Sequence, residues 1–294
     1  MTHDPADAAP SPASPVPATA ADGVPATSDP GGSALGRADP WQLLSRFTQA
    51  RIGLGRAGGS LPTAPLLDFQ LSHARARDAV HHALDVDTLL AALRAAGLEA
   101  LALTSGAPDR RTFIARPDLG RILSDASRQQ LEQRPPAETP YDVAFVITDG
   151  LSALAVERHA LPFLAQVTPR LRRDDWRLAP VCVVEQGRVA VADEIGALLP
   201  ARLTVILVGE RPGLSSPDSL GLYLTWDPLP GRSNAERNCL SNIREPDGLP
   251  YAVGAHKLLY LMTEARRRKL SGVDLKEDAP ALEAPAATAS LPLR

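Results

Sequence analysis

Large apolar residues are nearly missing from the first 38 positions of the chain and then return at helical spacing. They appear at Trp41, Leu43, Leu44 and Phe47, and again at Leu66, Leu67, Phe69, Leu71, Ala74, Val80 and Leu84. A glycine and proline interruption, Gly53 to Pro65, separates the two groups. The pattern predicts a further helix over Asp87 to Ala96 and a short strand over Leu98 to Leu103. It also predicts a helix opening at Pro117 and Asp118 and running to Gln133, because proline suits the first helical position and an acid there complements the helix dipole. Beyond the Pro135 to Pro140 stretch the periodicity changes. Short β-branched apolar runs at Val143 to Ile147, Val181 to Val184 and Leu203 to Val208 alternate with helical patterns at Ser152 to Val167 and Asp193 to Leu199. Continuous apolar runs suit strands covered on both faces, and strands separated by helices suit a parallel sheet. A last helix is predicted over Tyr251 to Leu270. The expected fold is α/β: a mainly helical region over 39–134, then a Rossmann-like domain with a mainly parallel sheet over 141–278.

Composition adds the two ends. Residues 1–38 are Ala, Pro, Ser, Thr, Asp and Gly with little to bury, and such a segment cannot offset its ordering entropy, so a disordered N-terminal tail is expected. The Ala, Pro and Leu stretch over 279–294 reads as a shorter flexible tail. With 294 residues, 44% of them hydrophobic, and a net charge of -3, the chain can bury one or two cores and has no global bias toward nucleic acid. The amino terminus lacks the basic start and hydrophobic run of a secretory signal. No stretch reaches the roughly 20 apolar residues of a membrane helix. Two cysteines, Cys182 and Cys239, are too few for a disulfide framework or a Cys-based zinc site and point to a reducing, cytoplasmic compartment.

Ligands of parallel sheets bind outside the carboxyl ends of the strands, so the loops leaving those ends are the candidate site. Here they are Asp149 to Ser152, Glu185 to Val189 and Gly209 to Ser219. Their glycines allow close backbone approach, and their acids and carbonyls supply acceptors for a ligand rich in amide donors. Ordinary surface turns would look much the same. Gly53-Leu54-Gly55-Arg56-Ala57-Gly58 matches the dinucleotide fingerprint by letter, but a helical pattern precedes it and Ser60 to Pro65 follow, where a strand and a helix are required. An irregular loop lying on a partner protein is the better reading. The histidines show no metal-ligand spacing, and His256 on the last helix reads as a partly buried, satisfied residue. Arg266 to Lys269 complement the end of that helix, with Gly272 as its stop.

Several strings, taken together and in order, resemble the ethanolamine ammonia-lyase small, or light, subunit family. They include Ala50 to Thr63, Asp68 to Val80, Arg116 to Arg121, Asp149 to Ser152, Gly209 to Leu214, Ser219-Leu220, Arg237 to Ile243 and Leu270 to Val273. The resemblance implies an adenosylcobalamin-dependent lyase that converts ethanolamine to acetaldehyde and ammonia by a radical route. It implies a barrel-shaped large subunit that binds ethanolamine and carries the catalytic side chains, so that no catalytic residue and no metal ligand is assigned to this chain. An assembly of six large and six small chains is expected, cytoplasmic, with packaging into a bacterial microcompartment as a further role for the tail. Cofactor contacts carried over from the family fall at Val189, Glu210 and Cys239. A carboxylate at Glu210 and main-chain carbonyls at the other two would suit the corrin's rim amides. The Asp-x-His-x-x-Gly loop by which other cobalamin proteins ligate cobalt is missing, so the cofactor is expected to stay base-on. On the residues alone, a non-catalytic scaffold or nucleotide-binding adaptor remains the competing reading.

Overall fold

The computed structural model describes residues 40–282; the expected tail over 1–38 and most of that over 279–294 lie outside the described residues. The chain divides at Pro62 and Thr63 into two units. In the first, a 3-10 helix, Pro40–Phe47, leads into a loop in which Gly53, Gly55 and Gly58 have positive φ and Ala57 and Ser60 exchange backbone hydrogen bonds of 2.9 and 3.1 Å. No described strand precedes these glycines, so the dinucleotide context is absent.

The second unit is a mixed α/β fold. In chain order it runs α1 (Thr63–His81), α2 (Val86–Ala95), β1 (Ala100–Thr104), α3 (Arg110–Ala115), α4 (Asp125–Glu132), β2 (Ala144–Thr148) and α5 (Ala153–Arg173). It continues with β3 (Val181–Glu185), α6 (Val191–Leu198), β4 (Leu203–Gly209), β5 (Leu220–Trp226), β6 (Arg237–Ile243) and α7 (Tyr251–Arg268). The described strands form one sheet in the order β1-β3-β2-β4-β5-β6, in which β1 to β4 are mutually parallel and β5 and β6 antiparallel. Val146 of β2 lies opposite Cys182 of β3 on one side and Ile206 of β4 on the other.

Every residue of β2 and β4 is buried, which explains their unbroken apolar runs. Phe145, Ile147, Val183 and Val205 face Phe163 and Leu164 of α5 and Leu258 and Met262 of α7. Val146, Val184 and Ile206 face Leu131 of α4 and Val191 and Ile195 of α6. Helices thus cover both faces. Each such fully buried side chain contributes about 1.5–3 kcal/mol.

Two expectations change. The helix predicted from Pro117 does not form as one piece. Asp118 is drawn into an ion pair with Arg116 at 2.7 Å, and Gly120 is buried where an added Cβ would lie 2.9 Å from the Phe113 ring and 3.0 Å from the Gln186 carbonyl. The chain makes α3, capped by Asp109, then a 3-10 turn at Leu119–Arg121, and α4 starts only after its own cap, Ser124. The strand predicted over Leu98 to Leu103 forms as β1 and is hydrogen-bonded into the sheet beside β3. Secondly, β5 and β6 add an antiparallel extension that the apolar pattern did not reveal.

A buried ion pair fastens that extension. Arg237, the first residue of β6, donates through Nη1 to Asp193 Oδ1 at 2.6 Å and through Nη2 to Asp193 Oδ2 at 2.5 Å, and also to Thr225 Oγ1 at 2.9 Å. Burial pushes the Asp193 carboxyl up, against the pull of the Arg237 hydrogen bonds and charge. Removing one member of such a pair leaves the other stranded. Arg237→Leu is expected to destabilise the chain by about 3–5 kcal/mol in urea unfolding; a loss below about 1 kcal/mol would show that the pair does not anchor β6.

Candidate functional site

The loops after β2, β3 and β4 leave the same edge because these strands are parallel neighbours. From β2 the chain enters α5 on one face, and from β3 it enters α6 on the other. Turns that part to opposite faces open a crevice at the strand ends. The turns are locked together by missing side chains. A Cβ on Gly150, whose φ is 53°, would lie 2.4 Å from the Gly209 carbonyl oxygen, and one on Gly209 would lie 2.0 Å from that of Ser152. The Leu151 N–H donates to the Gly209 carbonyl at 2.9 Å. Gly187 packs on Thr148, its N–H donating to Oγ1 at 2.9 Å.

A cavity of about 430 Å³ opens over these turns, with Leu151, Val189, Glu210, Arg211 and Tyr223 among its walls. A second, of about 560 Å³, lies on the other side of the Arg188-Val189 turn and is lined by Arg121, Ile122, Glu194 and Asn234. Arg188 and Val189 belong to both. A further cavity of about 490 Å³, between α1 and α5, is lined by Arg75, Asp78, His82 and Arg158 and by Pro217 of the loop after β4.

Two of the three residues singled out from sequence meet in the first cavity. Val189 is half-buried on its wall and Glu210 follows β4 directly. Glu210 neither caps a helix nor pairs with Arg211. Its carboxylate accepts from the Ser219 hydroxyl, from the Ser241 hydroxyl at 2.5 Å and from the Asn242 N–H at 3.2 Å, latching the β4 loop to β5 and β6. A carboxylate offers about four acceptor positions, so about one remains open. Cys239 does not line the cavity. It is exposed on the edge strand β6, opposite Tyr223. Burial, with the Cys239 and Glu210 side chains nearby, pushes the Tyr223 hydroxyl up to about 12.

Sequence reasoning missed Tyr223, because β5 was not recognised, and Arg110, which sits in no motif. Arg110 donates through Nη1 to Asp149 at 2.9 Å, to the Gly150 carbonyl at 2.8 Å and to Gln186 at 3.2 Å, so one side chain gathers two of the three turns. The Arg188 guanidinium sits over the Phe113 ring, 4.2 Å from its centroid. The edge therefore combines carboxylate and carbonyl acceptors, guanidinium donors and an apolar wall. Such a set holds a large ligand bearing both amides and charge.

The fold and the edge define an α/β chain with a candidate ligand site in the turns at its strand ends. Residues 38–276 match the model of the family described as ethanolamine ammonia-lyase light chain. Over 242 residues the chain is 59% identical to the ethanolamine ammonia-lyase small subunit of Azotobacter vinelandii, covering 82% of this chain and 89% of that protein. It is 56% identical to the small subunit of Pseudomonas aeruginosa and 57% identical to that of Pseudomonas fluorescens, each over 242 residues that cover 82% of this chain and 88% of the relative. The chain belongs to the ethanolamine ammonia-lyase small-subunit family, whose enzymes are carbon-nitrogen lyases.

Asp149 gives the edge a pH signature. Burial pushes its carboxyl up to about 6, with the Arg110 charge and the Thr148 hydroxyl pulling the other way. The folded chain then holds this proton more tightly than the unfolded chain does. The contribution is favourable below about pH 4 and is lost as the pH rises through about 6. Relative to Asp149→Asn, the unsubstituted chain should lose up to about 3 kcal/mol of stability between about pH 4 and about pH 7. A stability difference that stays flat over that interval would contradict the assignment.

Proposed function

We propose that this chain is the small subunit of an adenosylcobalamin-dependent ethanolamine ammonia-lyase, converting ethanolamine to acetaldehyde and ammonia together with a large subunit. The observation that carries the proposal is the meeting of Val189 and Glu210, from separate loops, in one cavity, with Cys239 next to its Tyr223 wall. These residues suit the cofactor. The corrin rim carries amide donors, and the open acceptor position of Glu210, with nearby main-chain carbonyls, answers them. Val189 supplies apolar wall. The bound cofactor supplies the radical chemistry through homolysis of its cobalt-carbon bond. The residues of this chain bind and orient it, and they exclude water from one side of it.

The Rossmann-like description of the sheet belongs to the same reading, supported by helices on both faces and a ligand edge at the parallel strand ends. The cofactor stays base-on, since the chain has no Asp-x-His-x-x-Gly loop to replace its base. A large-subunit partner is supported by α1, which exposes Leu66, Leu67, Phe69 and Leu71 in the second unit. Exposed apolar groups in such number suit a protein interface. Ethanolamine and the catalytic side chains belong to that partner. An assembly of six large and six small chains is the expected form. Two free cysteines suit a reducing cytoplasm, and no described helix is long and apolar enough to cross a membrane.

The test is acetaldehyde release from ethanolamine and adenosylcobalamin with this chain, the large chain, and the two mixed. Activity is expected in the mixture alone, and Glu210→Ala in the mixture should weaken cofactor affinity by about 1–3 kcal/mol. An assembled but inert mixture would remove the lyase reading, and an unchanged titration would remove Glu210 from the site.

A further inference from the structure

The walls of the two cavities carry more arginine than acid, with Arg121, Arg188, Arg211, Arg232 and Arg237 against Glu194 and Glu210. Asp149 is buried and is engaged by Arg110 at 2.9 Å. Glu194, on the wall of the second cavity, is taken by Arg128 Nε at 2.6 Å and by the Leu123 N–H at 2.9 Å. Glu210 is held by Ser219, Ser241 and Asn242. Arg188 has no acid. Its one guanidinium hydrogen bond among the described residues is a long one, 3.4 Å, from Nη2 to the Phe113 carbonyl, and its Nε is buried without a partner there. Arg121 in one cavity and Arg211 in the other have no ion pair and no side-chain hydrogen bond among the described residues. Burial lowers the proton affinity of Arg188, and the charges of Arg110, Arg121 and Arg211 lower it further.

A guanidinium fixed against a ring, between two further unpaired guanidiniums, is preorganised for an oxyanion. Its planar fork matches the oxygens of a phosphate, and a desolvated charge-assisted bond of this kind is among the stronger ones available. The two cavities that meet at Arg188, about 430 and about 560 Å³, are each within the range of small-molecule sites. Resting on the cofactor reading above, we propose that Arg188, flanked by Arg121 and Arg211, seats the phosphodiester of the cofactor's nucleotide tail. That group is the one formal anion of the cobalamin side chains, and Arg188 is the one edge guanidinium that combines a buried unpartnered N–H with a place on both cavities.

The test uses the complex of this chain with its large subunit and reads equilibrium binding spectroscopically. Two ligands are compared: adenosylcobalamin, and adenosylcobinamide, which keeps the corrin and adenosyl group and lacks the phosphodiester and nucleotide. Arg188→Met keeps the stem packed against Phe113 and Gly120 and removes the fork. Adenosylcobalamin should bind roughly tenfold or more weakly to R188M, and adenosylcobinamide should bind as it does to the unsubstituted complex. Equal weakening of both ligands would make Arg188 a corrin contact or a structural residue and overturn the proposal. Unchanged binding of both would overturn it as well. Should R188M fail to assemble, Arg211→Met, at an exposed loop position, must show the same selectivity for the tailed ligand, or the proposal falls. A complex that binds neither ligand before any substitution would fail the cofactor reading itself, which separates the two results.

Discussion

The approach of two backbones, Gly150 after β2 and Gly209 at the end of β4, sets the geometry on which the functional edge depends. Any side chain at either position would overlap a carbonyl oxygen of the other turn. Because the turns are in contact, the N–H of Leu151 reaches Gly209, and Ser152 is placed to cap α5 and to donate to the Pro217 carbonyl at 2.8 Å. Glu210, one residue beyond the contact, is thereby delivered over the ends of β5 and β6, where its carboxylate fastens them. The cavity beside Val189 is thus a product of strand packing, and its walls come from elements buried on both faces.

Charge is distributed over this edge unevenly. Arg110 neutralises the buried Asp149 and joins the turns after β2 and β3, while the Arg188 guanidinium rests over the Phe113 ring. A fold that needed only to cover its strand ends would not require an unpaired guanidinium with a buried N–H, which carries a desolvation cost. Functional sites commonly carry such local costs and recover them on binding. The low-dielectric setting that raises the Asp149 carboxyl to about 6 also strengthens any bond that Arg188 makes to an anion.

Much of this was legible in the sequence because burial on both faces writes a plain signal. The runs at Val143 to Ile147, Val181 to Val184 and Leu203 to Val208 correspond to β2, β3 and β4, and the glycine-bearing loops after them converge on one edge. Other elements left weaker marks. β6 reads Arg-Asn-Cys-Leu-Ser-Asn-Ile and is a strand because β5 pairs with it and Asp193 receives Arg237, both of them long-range facts. β5 joins β4 without a helix between, so the alternation that identified the parallel strands does not mark it. Pro117 and Asp118 carried a local helix signal that the ion pair with Arg116 and the tight burial of Gly120 overrode. At the site, Val189 and Glu210 were reachable through the strand-end rule and the family motifs. Arg110 and Tyr223 were not, since what makes them matter is contact between segments far apart in sequence.

The most direct measurement is amide hydrogen exchange on the assembled large and small subunits, with and without adenosylcobalamin. Slowed exchange is expected in this chain at residues 149–152, 186–190 and 209–214, with α1 unchanged by the cofactor. Cofactor-dependent protection of α1, with the three strand-end loops unaffected, would contradict it.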